Sequence, residues 1–278
     1  MTRLVEGDVR ALTAHLDEVE RALVGLTGCD LVALAARACG VDEGVARDAL
    51  VHAAAAVVPI TSGEGLIPGF VECVAAICAR LGCRAARVTA ESDVAGFAEA
   101  LRDGDDLVFA ADDRTFLAFD LAARVVADDD PCTAHAYVAA LDAAAGPGGV
   151  AGRPVLVIGL GPVGRAAAAR LVELGADVLV CELDGARLAA VAGTLPVTPV
   201  ALADGLSRSR LVLDATPTPD LIDADWVGAD GVVCSPGLPP GVTAAAAQAL
   251  SERLVHEPLA LGVAVMAVEA LCGGTAMR

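Results

Sequence analysis

The chain contains no lysine and no asparagine, and all nineteen of its basic residues are arginine. Without lysine there is no amine to form a Schiff base, no ammonium general acid and no lysine poised as a base. Aromatic residues make up only 3% of the sequence, and the single tyrosine, Tyr137, is followed four positions later by Leu141. The Tyr-x-x-x-Lys arrangement of short-chain dehydrogenases therefore cannot form. The lysine-dependent chemistry of glutamate-, leucine- and folate-type dehydrogenases is excluded on the same ground.

Long apolar runs are missing too. The hydrophobic fraction is 56%, yet no stretch reaches the roughly 18 residues of a membrane span. Met1-Thr-Arg-Leu-Val-Glu-Gly-Asp8 lacks the charged-then-apolar pattern of a signal peptide, so a soluble, cytoplasmic chain is expected. The nine cysteines include no C-x-x-C pair. Cys73, Cys78 and Cys83 are spaced by five residues, about 500° of helix rotation, which does not bring them onto one face. They read as small buried hydrophobes, with no metal site expected. A formal charge of −18 repels nucleic acid and anionic lipid and favours a cationic or amine ligand. Solubility of an apolar, alanine-rich chain accounts for most of that charge.

The most informative segment present is Val155-Leu-Val-Ile-Gly159-Leu160-Gly161-Pro162-Val163-Gly164, followed by an amphipathic stretch and Val178-Leu-Val-Cys-Glu182. Strand, Gly-x-Gly-x-x-Gly, helix, strand and terminal acid together describe a dinucleotide-binding β-α-β unit. Gly159 permits the tight turn, Gly161 lets the backbone approach a pyrophosphate, and Gly164 lets helix pack on strand. The pyrophosphate would then sit on the free N–H groups of the helix. Glu182 stands 23 positions after Gly159, where an acid accepts hydrogen bonds from the adenosine ribose and repels a 2′-phosphate, so NAD is expected over NADP. Arg187, one turn further on, is the residue that could hold such a phosphate instead. The strand ends Asp214-Ala215-Thr216-Pro217 and Cys234-Ser235-Pro236-Gly237 are expected to line the nicotinamide side.

The fold class expected is α/β: a Rossmann-type, doubly wound C-terminal domain over 149–278, preceded over 1–148 by a helical region and a small α/β substrate domain. Residues 6 to 57 read as helical from the spacing of Val9, Leu12, Leu16, Val19 and Leu23, with Asp30 and Asp42 as N-caps. Thr61-Ser62-Gly63-Glu64-Gly65 opens a new segment, and strands at 87–89 and 107–110 flank a helix. Ala111-Asp112-Asp113 follows the second strand, where acids would meet a cationic ligand or simply cap a turn. Phe119-Asp120 and Asp128-Asp129-Asp130-Pro131 lead into a helix from Cys132 to Ala145, which ends at Gly146-Pro-Gly-Gly149, the best domain boundary. The last helix, 259–271, is apolar enough to pack back on the N-terminal region. His135 and His256 read as structural histidines, and no general base is identifiable.

Val58-Pro-Ile-Thr-Ser-Gly-Glu-Gly-Leu-Ile67, Ala110-Ala-Asp-Asp113, the helix 133–145, the Gly159 to Asp184 fingerprint including Leu183, Ser235-Pro-Gly-Leu-Pro-Pro-Gly241 and His256-Glu-Pro-Leu-Ala-Leu-Gly-Val-Ala264 resemble the pyrrolysine synthase family. The resemblance spans nearly the whole chain, and the Pro-Ile-Thr-Ser-Gly-Glu-Gly segment is its most specific part. It implies NAD-dependent oxidation of the terminal primary amine of 3-methylornithinyl-lysine to an imine or aldehyde. Capture of that carbon by the α-amine of the same ornithine unit then closes the pyrroline ring. It also implies a dipeptide-like amine held by Thr61, Ser62, Glu64, Asp112, Asp113 and Asp120, and an N-terminal helix that starts near Leu4 and closes as a lid. An amide commonly stands near Asp120 in the family, so the carboxylate there is a departure. Neither a nucleic acid nor a membrane is an expected partner, and a homodimer is the assembly considered. Two other readings fit the residues: another NAD-dependent amine dehydrogenase or imine reductase, and a non-catalytic NAD-binding sensor.

Overall fold

The computed structural model describes residues 6–273; Leu4 lies outside them. Three helices come first, α1 (Glu6–Thr27), α2 (Leu31–Cys39) and α3 (Glu43–His52). As expected, Asp30 caps α2 by accepting the Ala33 N–H at 2.8 Å, and Asp42 caps α3 through Gly44 and Val45. The expectation of helix to residue 57 is corrected at this point. Ala54–Val58 is a strand, β1, with every residue buried. An alanine-rich run has helical propensity, but this one lies between two parallel partner strands in the buried middle of a sheet, and tertiary context overrides propensity.

A helix, α4 (Phe70–Arg80), and a strand, β2 (Ala85–Val88), follow, then α5 (Asp93–Asp103) and β3 (Leu107–Ala111). β1 pairs in parallel with both β2 and β3 and so lies between the two strands that flank α5. An unanticipated antiparallel meander, β4 (Phe116–Asp120) and β5 (Val125–Asp128), completes a five-stranded sheet of order β2-β1-β3-β4-β5. The connecting helix α6 (Asp129–Ala144) then leads to β6 (Pro154–Ile158).

The second half is doubly wound as expected, through α7 (Pro162–Glu173), β7 (Asp177–Cys181), α8 (Gly185–Ala192) and β8 (Thr198–Pro199), then an unanticipated short helix, α9 (Leu202–Arg208), and β9 (Leu211–Asp214). It continues through β10 (Val232–Cys234), α10 (Ala244–Leu250) and β11 (Leu254–Val255) to α11 (Ala260–Cys272). All six strands are parallel, in the order β11-β10-β9-β6-β7-β8, with the reversal of winding between β6 and β9. This is a Rossmann-type α/β architecture.

One large core runs between the two sheets, centred on α6 and α11, and each sheet packs a smaller cluster on its other face. α11 carries almost only apolar residues because it is surrounded, packing on α2, α3, α4 and α6 and on β4 and β5 of the first sheet. Its N-terminus is capped from inside: Glu257, buried, accepts the N–H groups of Leu259 and Leu261. Tyr137 of α6 donates its hydroxyl to the Glu257 carbonyl and accepts the Glu257 N–H at 2.9 Å. No single helix among the described residues is long and apolar enough to cross a membrane.

Candidate functional site

Ligands of open parallel sheets settle beyond the C-terminal strand ends where the winding reverses. Both sheets have such a point, and each carries a cavity. In the large sheet the cavity, of about 290 Å³, is walled by Gly161, Pro162 and Val163 after β6, Ala215, Thr216 and Pro217 after β9, and Pro236, Gly237 and Leu238 after β10. In the small sheet the cavity, of about 130 Å³, is walled by Ile60, Ser62 and Gly65 after β1 and Ala111, Asp112, Asp113 and Thr115 after β3. Asp129 and Pro258 line both.

The glycine turn has the shape its spacing implied. Gly159 has φ +83°, and a Cβ there would lie 2.5 Å from Thr216 Cγ2. A Cβ on Gly164 would lie 2.0 Å from the carbonyl oxygen of Gly159, so α7 packs on β6 through bare backbone. At Gly161 a Cβ would meet nothing within 4 Å. Space is open where a phosphate would approach, and no side chain caps α7, which begins with Pro162.

Glu182, at the end of β7, accepts the Leu160 N–H at 2.8 Å and the Asp184 N–H at 2.9 Å. Arg187 Nη1 stands 3.3 Å from Oε2. Burial alone would raise the pKa of Glu182, but these N–H groups and the guanidinium hold it below the usual carboxylate value. It is an anion with lone pairs left for hydroxyl donors. Leu183 is 99% exposed beside it, and Asp184 caps α8 through Ala186 and Arg187. Ser235 sits behind the wall, not on it: its hydroxyl donates to Asp214 Oδ2 at 2.9 Å.

Asp130 adds a polar group to the larger cavity. Its Oδ1 is buried without a hydrogen-bond partner, and the residue lines the larger cavity beside Thr133. The donor-rich helix start, the open space at Gly161, the anionic Glu182 and this orphan acceptor together fit a nicotinamide dinucleotide.

The expected amine-binding residues divide. Ser62, Asp112 and Asp113 line the smaller cavity. Asp112 also closes the β3–β4 turn by accepting the N–H groups of Arg114 and Thr115, both at 2.8 Å, which lower its pKa. Asp113 accepts the Glu64 N–H at 2.8 Å and presses on Gly63, whose Cβ would lie 1.9 Å from Asp113 Oδ2. The Glu64 side chain is exposed and does not line the cavity. Thr61 likewise points elsewhere, its N–H and hydroxyl both donating to Asp93.

Asp120 is corrected. It pairs with Val125 at the far end of β4 and accepts the Ala123 N–H at 2.7 Å. Because β4 runs antiparallel to β3, its first residue, Phe116, meets the cavity, and Asp120 lies four steps, roughly 13 Å, along the strand from it.

Asp129, Asp130, Thr133, Phe70, Phe116 and Pro258 were not expected at the site. The triple aspartate was visible in the sequence, and so was Thr133, one helical turn beyond Asp129. The signal lay in reading that run as the buried start of a helix between two ligand pockets. His135 and His256 line neither cavity; burial lowers the pKa of His135, and His256 Nδ1 lies 2.8 Å from the Ser235 carbonyl oxygen.

Gly63→Val would drive a branched side chain into Asp113 from a backbone at φ +75°. The expected outcome is a rise of about tenfold or more in the KM of the substrate held in the smaller cavity, a misplacement of about 1.4 kcal/mol, with the dissociation constant for the nicotinamide nucleotide unchanged. Steady-state kinetics paired with a nucleotide titration would check it.

Residues 8–127 match the family model described as pyrrolysine biosynthesis protein PylD, N-terminal domain. The chain is 30% identical over 270 residues to the pyrrolysine synthase of Methanosarcina acetivorans, covering 96% of this chain and 98% of that one. It is 28% identical to the pyrrolysine synthase of Methanosarcina barkeri, covering 96% and 97%. Among solved structures it is similar to the shikimate 5-dehydrogenase of Thermus thermophilus in complex with NADP(H) and shikimate. There the TM-score is 0.52 at 16% identity, covering 79% of this chain and 94% of that one.

Proposed function

Because the chain belongs to the pyrrolysine synthase family, we propose that it is an NAD-dependent dehydrogenase that oxidises the terminal primary amine of 3-methylornithinyl-lysine. The resulting imine, or its hydrolysis product, is captured by the α-amine of the same ornithine unit, closing the pyrroline ring. Ring closure is intramolecular and needs no further catalyst to bring its partners together. The observation that carries the reading is the pair of cavities at the two sheet switch points with Asp129 and Pro258 as common wall. A carbon held in one lies next to an acceptor held in the other.

Residues 149–278 supply the nucleotide half and 1–148 the amine half. NAD, when bound, accepts a hydride from the amine-bearing carbon. The start of α7 would hold its pyrophosphate, and Glu182 would accept hydrogen bonds from its adenosine ribose. Ala215 to Pro217 and Pro236 would line the nicotinamide side. The same Glu182 carboxylate repels a 2′-phosphate, which favours NAD over NADP. In the smaller cavity Ser62, Asp112 and Asp113 meet the polar and cationic groups of the substrate. A negative rim suits a ligand carrying ammonium groups, and the net charge of −18 adds to it.

The test is to incubate the purified protein with NAD and 3-methylornithinyl-lysine and follow NADH absorbance together with product mass. A cyclised product formed in step with NADH supports the reading. NADH without a ring product points to another amine oxidation, and nucleotide binding without turnover points to a sensor. Glu182→Ala is expected to raise the KM for NAD by roughly ten- to a hundredfold, since a hydrogen bond to a charged group contributes about 1.5–3 kcal/mol. An unchanged KM would remove the ribose contact.

A further inference from the structure

We propose that Asp129 accepts the proton that the substrate ammonium must lose before hydride can leave its carbon. This rests on the oxidative reading above. An ammonium nitrogen has no lone pair with which to form a C=N bond, so an acceptor must reach the amine while the reacting carbon faces the nicotinamide.

The chain has few groups able to do this. It has no lysine, none of its histidines lines either cavity, and its single tyrosine is buried in hydrogen bonds to the backbone of Glu257. Among the carboxylates of the smaller cavity, Asp112 and Asp113 hold turn and loop N–H groups. Asp130 lines only the larger cavity. Asp129 is the carboxylate common to both, where a reacting carbon and its acceptor would meet.

Its surroundings fix and tune it. Thr133 Oγ1 donates to Asp129 Oδ1 at 3.0 Å. Behind them α11 presents Gly262, whose Cβ would lie 2.5 Å from Thr133 Oγ1 and 2.9 Å from Asp129 Oδ1, so no side chain can displace the pair. Asp129 is 6% exposed, and burial raises its pKa to about 7; Thr133 opposes the rise, while Asp130 and Asp128 on the same segment add to it. Across the cavity stand Asp112, Asp113 and Arg114, and on the α11 side stand Glu257, buried at the start of the helix, and Glu269, hydrogen-bonded by Cys132. A carboxyl that titrates near neutrality can both take a proton from a bound amine and give it up again.

The step balances. R–CH2–NH3⁺ and the Asp129 carboxylate become R–CH2–NH2 and the carboxylic acid. The C–H bond then breaks with its electron pair passing to NAD, the nitrogen lone pair forms C=N, and R–CH=NH2⁺ and NADH result. The acid returns its proton to water for the next cycle.

Asp129→Asn keeps the shape and removes the acceptor. The expected result is a kcat lower by about a hundredfold or more, with the NAD dissociation constant, read by fluorescence titration, within about twofold of the parent. Calorimetry of substrate binding near pH 7, in buffers of different ionisation enthalpy, should show proton exchange in the parent protein and none in the variant. Thr133→Val covers the case in which the asparagine variant fails to fold. Loss of its hydroxyl should shift the acidic limb of the kcat/KM profile to higher pH. Retention of kcat within about tenfold by Asp129→Asn, unchanged proton exchange, or an unmoved acidic limb in Thr133→Val would overturn the assignment. If the parent protein does not oxidise the amine at all, the proposed reaction fails first, and that outcome is distinct from a variant that keeps parental turnover.

Discussion

Asp214→Ala is expected to cost about 4 kcal/mol of stability and to lower the melting temperature by roughly 10 °C. The side chain is fully buried at the end of β9. Its carboxylate accepts the Thr216 N–H and hydroxyl on one oxygen, at 3.2 and 2.8 Å, and the Ser235 hydroxyl and Gly241 N–H on the other, at 2.9 and 2.8 Å. Burial raises its pKa and these four donors oppose the rise. Alanine would leave all four without their acceptor, and an unsatisfied buried donor costs about 1–3 kcal/mol, less than additively within one network. The two loops that follow β9 and β10 also lose their common tie, so the wall formed by Thr216, Pro217 and Pro236 should loosen and affinity for the nicotinamide nucleotide should fall about tenfold. Thermal melts followed by circular dichroism, with and without nucleotide, would measure both effects. A melting point unchanged to within about 2 °C would show that the network contributes little.

Gly164→Ala should act more directly on the nucleotide site. The added methyl would lie 2.0 Å from the Gly159 carbonyl oxygen and 3.2 Å from Ala215 Cβ, and main chain cannot rotate away as a flexible side chain can. Relief requires α7 to lift from β6, which costs about 3 kcal/mol, the upper part of the usual range for overpacking. Because the same helix start is the proposed seat of the pyrophosphate, affinity for the nicotinamide nucleotide should fall about thirtyfold or more, equivalent to roughly 2 kcal/mol. Gly161→Ala is the informative control. Its methyl meets no protein atom within 4 Å, so the melting curve should stay in place while NAD binding weakens. Equal losses of stability in the two variants would argue that the glycines serve packing alone.

The contrast between the two halves shows what sequence pattern can carry. β6 and β7 occupy the residues that the fingerprint implied, 154–158 and 177–181, because a fully buried parallel strand reads as a continuous apolar run between glycine-rich turns. β1 is equally buried, but Ala54-Ala-Ala-Val-Val58 follows a helical stretch without a glycine or proline between them, and its composition suits a helix as well as a strand. β4 and β5 were hidden for a different reason. Their hairpin turn, Leu121 to Arg124, carries no Asn-Gly or Asp-Gly signal, and the strands are short. Missing that hairpin misplaced Asp120, since only the antiparallel direction of β4 sends its acidic end away from the cavity. Asp129 escaped notice because its importance depends on burial and on two cavities meeting, properties that no local spacing encodes. Glu182 stood out because its contact with Leu160 belongs to a short, self-contained unit.

The backbone passes between the sheets twice, outward through β5 into α6 and back through His256 to Pro258 into α11, and both crossings run beside the shared cavity wall. Tyr137 bolts one crossing to the other through the Glu257 backbone. Asp129 and Pro258 stand where the two crossings meet the shared wall, so a change of side chain at either one reaches both cavities at once.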